Sequence, residues 1–154
     1  MGDFTIKDGV LEQYYTDESG TGVIVPKGVV TIGRSAFFGQ DNMGVVTLPE
    51  GVKTIRDSAF SDCFGMPEVI LPSSLTRIEI HAFYGSDIKT LTLPHGLQYI
   101  GRSAFGGCMF LEKIIYRGTV AEFKRIEKEE PLITMSNESN VVHCTDGDVT
   151  LLDY

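Results

Sequence analysis

The stretch Ile55-Arg56-Asp57-Ser58-Ala59-Phe60-Ser61-Asp62-Cys63, with the Val69-Ile70-Leu71-Pro72 that follows it, decides the fold. It is one copy of a unit present four times. Ala-Phe recurs at Ala36-Phe37, Ala59-Phe60, Ala82-Phe83 and Ala104-Phe105, at intervals of 23, 23 and 22 residues. Each Phe is preceded at five residues by Ile32, Ile55, Ile78 or Ile100, and at eight by Val29, Val52, Leu75 or Leu97. A proline closes an apolar pair at Val25-Pro26, Leu48-Pro49, Leu71-Pro72 and Leu93-Pro94. Self-similarity at a period of about 20 to 50 residues is the mark of a solenoid. Each unit is one coil that cannot bury its apolar face alone and stacks on its neighbours.

Within the unit, Met66, Val69 and Leu71 point inward while Ile70 alternates outward, so Val69 to Leu71 reads as a short strand. Pro72 cannot donate to a ladder and ends it. Val52 and Ile55 bury the return leg of the coil. Ser58-Ala59-Phe60 is too short for a full helix and is expected to form a tight helical turn opposite the strand. The four Phe rings are expected to stack in a column. Cys63 and Cys108 both follow a repeat Phe by three residues, so they share a column two rungs apart. At a rung spacing of about 4.8 Å they stand roughly 9 to 10 Å apart. Disulfide Cα atoms approach within about 7 Å, so both are expected to be free thiols acting as small buried apolar groups. Cys144 lies outside the repeats, and its pairing is open at this point.

The recurring Ile-x-x-x-Ala-Phe, the Cys three residues later and the apolar-x-x-apolar-x-Leu-Pro segment resemble the BspA-type leucine-rich repeat. The resemblance covers about 95 of the 154 residues. The flanks Asp3-Phe4-Thr5-Ile6-Lys7-Asp8-Gly9-Val10-Leu11, Tyr116-Arg117-Gly118-Thr119 and Cys144-Thr145-Asp146-Gly147 are similar to those of bacterial members. The departures are small. The third repeat is one residue short between Phe83 and Leu91 and carries Ser86 at the Cys position, the first has Gln40 there, and Tyr116-Arg117 replaces Leu-Pro in the last. The resemblance implies a short right-handed leucine-rich-repeat solenoid with a parallel sheet on one face. It also implies roles in binding or adhesion at bacterial surfaces.

The length suits one domain, 1–154. Residues 1–22 are expected to form an N-terminal cap, 23–117 the repeats and 118–154 a C-terminal cap. Phe4-Thr5-Ile6 and Val10 to Tyr15 flank the turn signal Lys7-Asp8-Gly9, which predicts a hairpin over 4–16. Thr119 and Glu122 form a capping box, Val120, Phe123 and Ile126 one apolar face, and Pro131 a stop, which predicts a helix over 118–131. A final hairpin is expected over 141–152 around Asp146-Gly147-Asp148. Together the caps are expected to close the folding unit.

The formal net charge of −8 and the lack of a basic cluster argue against nucleic acid and against an anionic membrane surface. No apolar run approaches the roughly 18 residues needed to span a bilayer. The first residues lack the basic and apolar regions of a signal peptide. A cell-surface or secreted location therefore requires a signal removed from this sequence; otherwise the expected location is cytoplasmic.

Catalytic and metal patterns are weak. His81, His95 and His143 share no ligand spacing. His143-Cys144-x-Asp146 falls short of a tetrahedral zinc set, and Asp146-Gly147-Asp148 lacks the later carboxylates of a calcium loop. Asn137-Glu138-Ser139 is a sequon, relevant only in a eukaryotic secretory setting. No cofactor, metal or catalytic residue is expected. The outward strand position gives the column Ile24, Thr47, Ile70, Thr92 and Ile115, which carries no acid or base. Ile24, Thr47, Ile70, Thr92 and Ile115 are together the candidate partner-binding residues, marked out by the apolar members among them, with Glu68, Thr90, Lys113 and His95 as a polar rim. Strand propensity alone also accounts for β-branched residues there. The function expected is a non-enzymatic module, monomeric or weakly oligomeric, that binds a protein or glycan. The alternatives are a polysaccharide-acting enzyme on a parallel solenoid and a structural segment of a larger surface adhesin.

Overall fold

The computed structural model describes residues 2–18, 20–133 and 140–151. The sequon at 137–139 and Leu152 lie outside them. The chain coils about five times as a β-solenoid. In order, its strands are β1 (Asp3–Lys7), β2 (Val10–Tyr15), β3 (Val23–Ile24), β4 (Thr31–Ile32), β5 (Val46–Thr47), β6 (Thr54–Ile55), β7 (Val69–Ile70), β8 (Arg77–Ile78), β9 (Thr90–Leu93), β10 (Tyr99–Ile100) and β11 (Lys113–Tyr116). Helix α1 (Val120–Arg125), β12 (Glu127–Lys128), β13 (Val141–Cys144) and β14 (Gly147–Thr150) complete it.

Two faces of the coil carry parallel ladders, where one sheet was expected. The strands before the prolines form the sheets β3-β5-β7 and β9-β11-β13-β14. The return legs form a second, longer sheet, β1-β2-β4-β6-β8-β10-β12. Thr54 and Ile55 join it because both their backbone edges meet the equivalent leg one rung away, Thr31–Ile32 on one side and Arg77–Ile78 on the other. The inward residues Ile32, Ile55, Ile78 and Ile100 are fully buried.

The arm carrying Ala-Phe is a run of tight turns. Ser35, Ser58, His81 and Ser103, each just before Ala, sit in the left-handed region at φ 54°, 56°, 55° and 50°. That conformation stops a helix from propagating and swings the next two residues inward. The turn arms also ladder between rungs: the N–H of Phe37, Phe60 and Phe83 donates to the carbonyl of Ala59, Ala82 and Ala104 at 2.8, 2.7 and 2.8 Å. The Phe rings stack as expected, with centroids 4.6, 5.3 and 6.0 Å apart. Tyr14 and Phe4 of the first hairpin continue the column at 5.0 and 4.9 Å.

The N-terminal hairpin forms as expected, turning at Asp8 (φ 50°) and Gly9 (φ 76°). Helix α1 is shorter than expected, ending at Arg125. The Lys128 ammonium donates to the carbonyls of Phe123 and Ile126 at 2.8 and 2.6 Å, which satisfies the helix C-terminus. Beyond it the chain is extended. Glu127 and Glu129 donate to Gln98 and Ile100, and Ser103 and Phe105 donate to Pro131 and Leu132. An extended segment satisfies the open edge of β10 and buries Ile126 and Leu132, which a helix continuing to Pro131 would not do. The last hairpin runs over β13 and β14 with Thr145-Asp146 at its turn, one residue earlier than expected.

Cys63, Cys108 and Cys144 are free. The first two are buried, but they are more than apolar filler. Cys63 Sγ donates to the carbonyl of Phe37 at 3.1 Å and Cys108 Sγ to that of Phe83 at 3.0 Å. Ser86, at the same position, donates to the carbonyl of Phe60. Burial pushes both thiols up to about 12, so they stay protonated donors.

Candidate functional site

The outward column exists in the expected register. Ile24 pairs with Thr47 and Thr47 with Ile70; Thr92 pairs with Ile115. Ile24 is 78% and Ile70 46% exposed, while Thr47, Thr92 and Ile115 are half-buried. Alternation along each strand places them outward, because Val23, Val46, Val69, Leu91 and Ile114 take the inward positions. In the flanking column Glu68 bridges Thr90, and Thr90 pairs with Lys113.

The column does not stop at Ile115. His143 of β13 pairs beside it, and its Nδ1 lies 2.9 Å from Asp148 Oδ1 on β14. A shallow pocket of about 620 Å³ joins Lys113, Ile115 and Arg117 to His143, Cys144 and Thr145. Sequence reasoning placed His143 in a cap and missed its membership. The signal was present in Val141-Val142, whose inward Val142 repeats the inward Ile114.

His95 sits apart from this row. Its Nε2 is 3.0 Å from Glu122 Oε1 of α1, and its carbonyl accepts from the Tyr116 hydroxyl. The same Glu122 closes the capping box, accepting from Thr119 N and Oγ1 at 2.8 and 3.1 Å. The Thr119 N–H, then His95 and the Thr119 hydroxyl, draw the Glu122 carboxyl down to about 2. His95 thus ties the cap to the last complete rung.

The strand face is broken once. Between β7 and β9 the ladder shrinks to the single bridge Glu68–Thr90. The break coincides with the one-residue shortening of the third repeat. Past the bridge a cleft of about 370 Å³ opens, lined by Ile70, Leu71, Ser73, Thr92, Pro94 and Arg117, with Glu68 at its head. It brings together Glu68, Ile70 and Thr92 from the expected set. Arg117 was missed, although its place in the sequence, where the other rungs carry proline, marks it. The cleft combines an apolar floor, two hydroxyls and one charge of each sign.

Little here supports chemistry on a substrate. Among the described residues no group of three or more His, Cys, Asp or Glu is placed to hold a metal ion. Asp146 Oδ1 accepts from Val120 N at 2.7 Å, fastening β13–β14 to α1. Burial raises the Cys144 thiol above its ordinary value, the opposite of an activated nucleophile.

The model of the BspA type leucine rich repeat region matches residues 11–126 with six copies. The chain belongs to this family. Among solved structures, the chain is similar to the pneumococcal vaccine antigen PcpA at 28% identity and TM-score 0.69, over 74% of this chain and 29% of that one. It is similar to a Treponema pallidum leucine-rich repeat protein at 29% identity and TM-score 0.63, over 75% and 56%. It is also similar to a leucine-rich cell surface protein from Faecalibacterium prausnitzii at 31% identity and TM-score 0.51, over 60% and 30%. The chain therefore spans between 29% and 56% of the length of these neighbours. No curated protein matches it. Among the described residues no helix is long and apolar enough to cross a membrane.

Proposed function

We propose that this chain is a non-enzymatic binding module that engages a protein or glycan on its strand face, centred on the cleft between β7 and β9. The observation that carries the reading is the cleft itself. It falls within the outward column, where Ile70 stays 46% exposed, and it sets Glu68 and Arg117 around apolar Ile70 and Pro94. Exposed apolar surface rimmed by polar groups is the usual composition of a recognition site. Thr47, Thr90, Thr92, Lys113 and Ile115 extend the surface along the stack, and Ile24 ends it. A cell-surface setting is supported by the Faecalibacterium neighbour, which is such a protein.

The neighbours' greater length supports a second reading, in which this is one structural segment of a longer surface protein with binding done elsewhere. Glycan and peptide arrays probed with the whole chain separate the two. Binding that is lost in both Ile70→Glu and Arg117→Ala, with melting temperatures within a few degrees of the parent, is the expected result. Binding that survives both substitutions removes the cleft from the reading. Turnover of an arrayed oligosaccharide overturns the non-enzymatic assignment.

A further inference from the structure

The two ends of the solenoid are closed unequally. At the C-terminal end both faces are covered: β12 lies on β10, and the β13–β14 hairpin lies on β11. At the N-terminal end β1 covers β2, but β3 is the last strand of its sheet and pairs only with β5. Val23 and Val25 donate toward Val45 and Thr47. By alternation the N–H and C=O of Ile24 face the other way, and they meet no partner among the described residues. An unpaired strand edge is a template for another strand.

Beneath that edge is a cavity of about 260 Å³, whose lining includes Phe4, Tyr14, Val23, Ile24 and Met43 along with Gly2, Thr16 and Glu18. Val23, the inward residue of β3, lines it beside the open edge. Acidic residues flank its lining in the sequence: Asp3 stands between the lining residues Gly2 and Phe4, and Asp17 between Thr16 and Glu18.

We infer that the open edge of β3 binds an extended peptide strand of a partner, parallel to β3, with alternating apolar residues directed into the Phe4–Tyr14–Met43 cavity and a basic residue ahead of them. The backbone of the peptide exchanges hydrogen bonds with Ile24, as in other cases of strand addition to a sheet edge. Its first apolar residue fills the cavity, and its basic residue meets Asp3 and Asp17. The chain itself holds a segment of this description, Lys89-Thr90-Leu91-Thr92-Leu93-Pro94, whose Leu91 and Leu93 are buried in the same kind of parallel ladder.

That hexapeptide, capped at both ends, is the probe. Titrated into the isotopically labelled full chain, it is expected to slow exchange of the Ile24 amide at least tenfold at saturation. Exchange of Ile24 unchanged by saturating peptide overturns the proposal without any variant. Ile24→Pro deletes only the outward N–H, since the inward donors are Val23 and Val25, and proline is tolerated at such an edge. It is expected to weaken the peptide at least tenfold, whereas Ile24→Thr, which keeps the N–H, binds within twofold of the parent. Equal binding by Ile24→Pro overturns the proposal, as does equal binding of Lys-Leu-Thr-Thr-Leu-Pro, which breaks the alternation and puts Thr where the probe carries its first inward Leu. Replacing the peptide Lys by Glu is expected to cost several-fold, and no loss overturns the basic-flank occupant. Ile70→Glu is expected to leave this binding intact, which keeps the edge distinct from the β7–β9 cleft. Loss of peptide binding in Ile70→Glu overturns the edge site.

Discussion

Cys63, Ser86 and Cys108 hold one position in three successive rungs, and each donates to the carbonyl of the Phe one rung earlier. A Phe carbonyl left buried and unpaired costs about 1 to 3 kcal/mol. Ser86→Ala is therefore expected to lower stability by about that amount in denaturant melts, while Ser86→Cys, which restores the donor of its neighbours, stays close to the parent. An Ala variant as stable as the parent would mean that the carbonyl finds another donor. The column was legible in the sequence, because Cys63, Ser86 and Cys108 fall at a fixed distance from Phe. Its chemistry was not, because the acceptor belongs to a different rung about 25 residues away and becomes a neighbour only after stacking. Ile70 is the opposite case. Strict alternation with Val69 and Leu71 was enough to place it outward, and the register of β5 and β7 agrees.

At the scale of elements, sequence marked starts better than ends. The capping box of α1 is in place, Thr119 to Glu122, because both partners lie within one turn. The end was misjudged by several residues. Proline at 131 was read as the stop, whereas Lys128 on the helix carbonyls and the unfilled edge of β10 end the helix at Arg125. The second parallel sheet was hidden for a related reason: Thr54–Ile55 is two residues long and becomes a strand only through rungs on either side. The capping box supplies a pH test. Glu122 has its carboxyl drawn from an ordinary 4.5 to about 2 in the folded protein. A lowered folded value stabilises the fold above the unfolded value and loses that contribution as pH falls toward the folded one. Glu122→Gln is thus expected to melt below the parent at pH 7, with the gap closing between pH 4.5 and 2. A gap independent of pH would show that the Glu122 charge contributes nothing to the cap.

At the scale of the molecule, stability rests on neighbours, since each coil buries its apolar face only against the next. The aromatic column Phe4, Tyr14, Phe37, Phe60, Phe83 and Phe105 passes through every complete rung. The C-terminal segment closes its lower end from three directions. Leu132 covers the Phe105 rung, β12 pairs β10, and β13 pairs β11. Phe123 lies over Tyr116, with ring centroids 5.4 Å apart. Removing residues 118–154 would expose the four-residue edge of β11 and the two-residue edge of β10 together, along with the apolar side chains they carry. Long apolar strand edges recruit one another. The truncated chain is expected to elute as large aggregates in size-exclusion chromatography and to lose its cooperative melt, with the full chain run beside it as the reference. A soluble, monomeric truncation with a cooperative melt would show that the repeats close without the cap. By contrast, β3 leaves a single outward N–H and C=O at Ile24, too short an edge to aggregate and long enough to seat one strand.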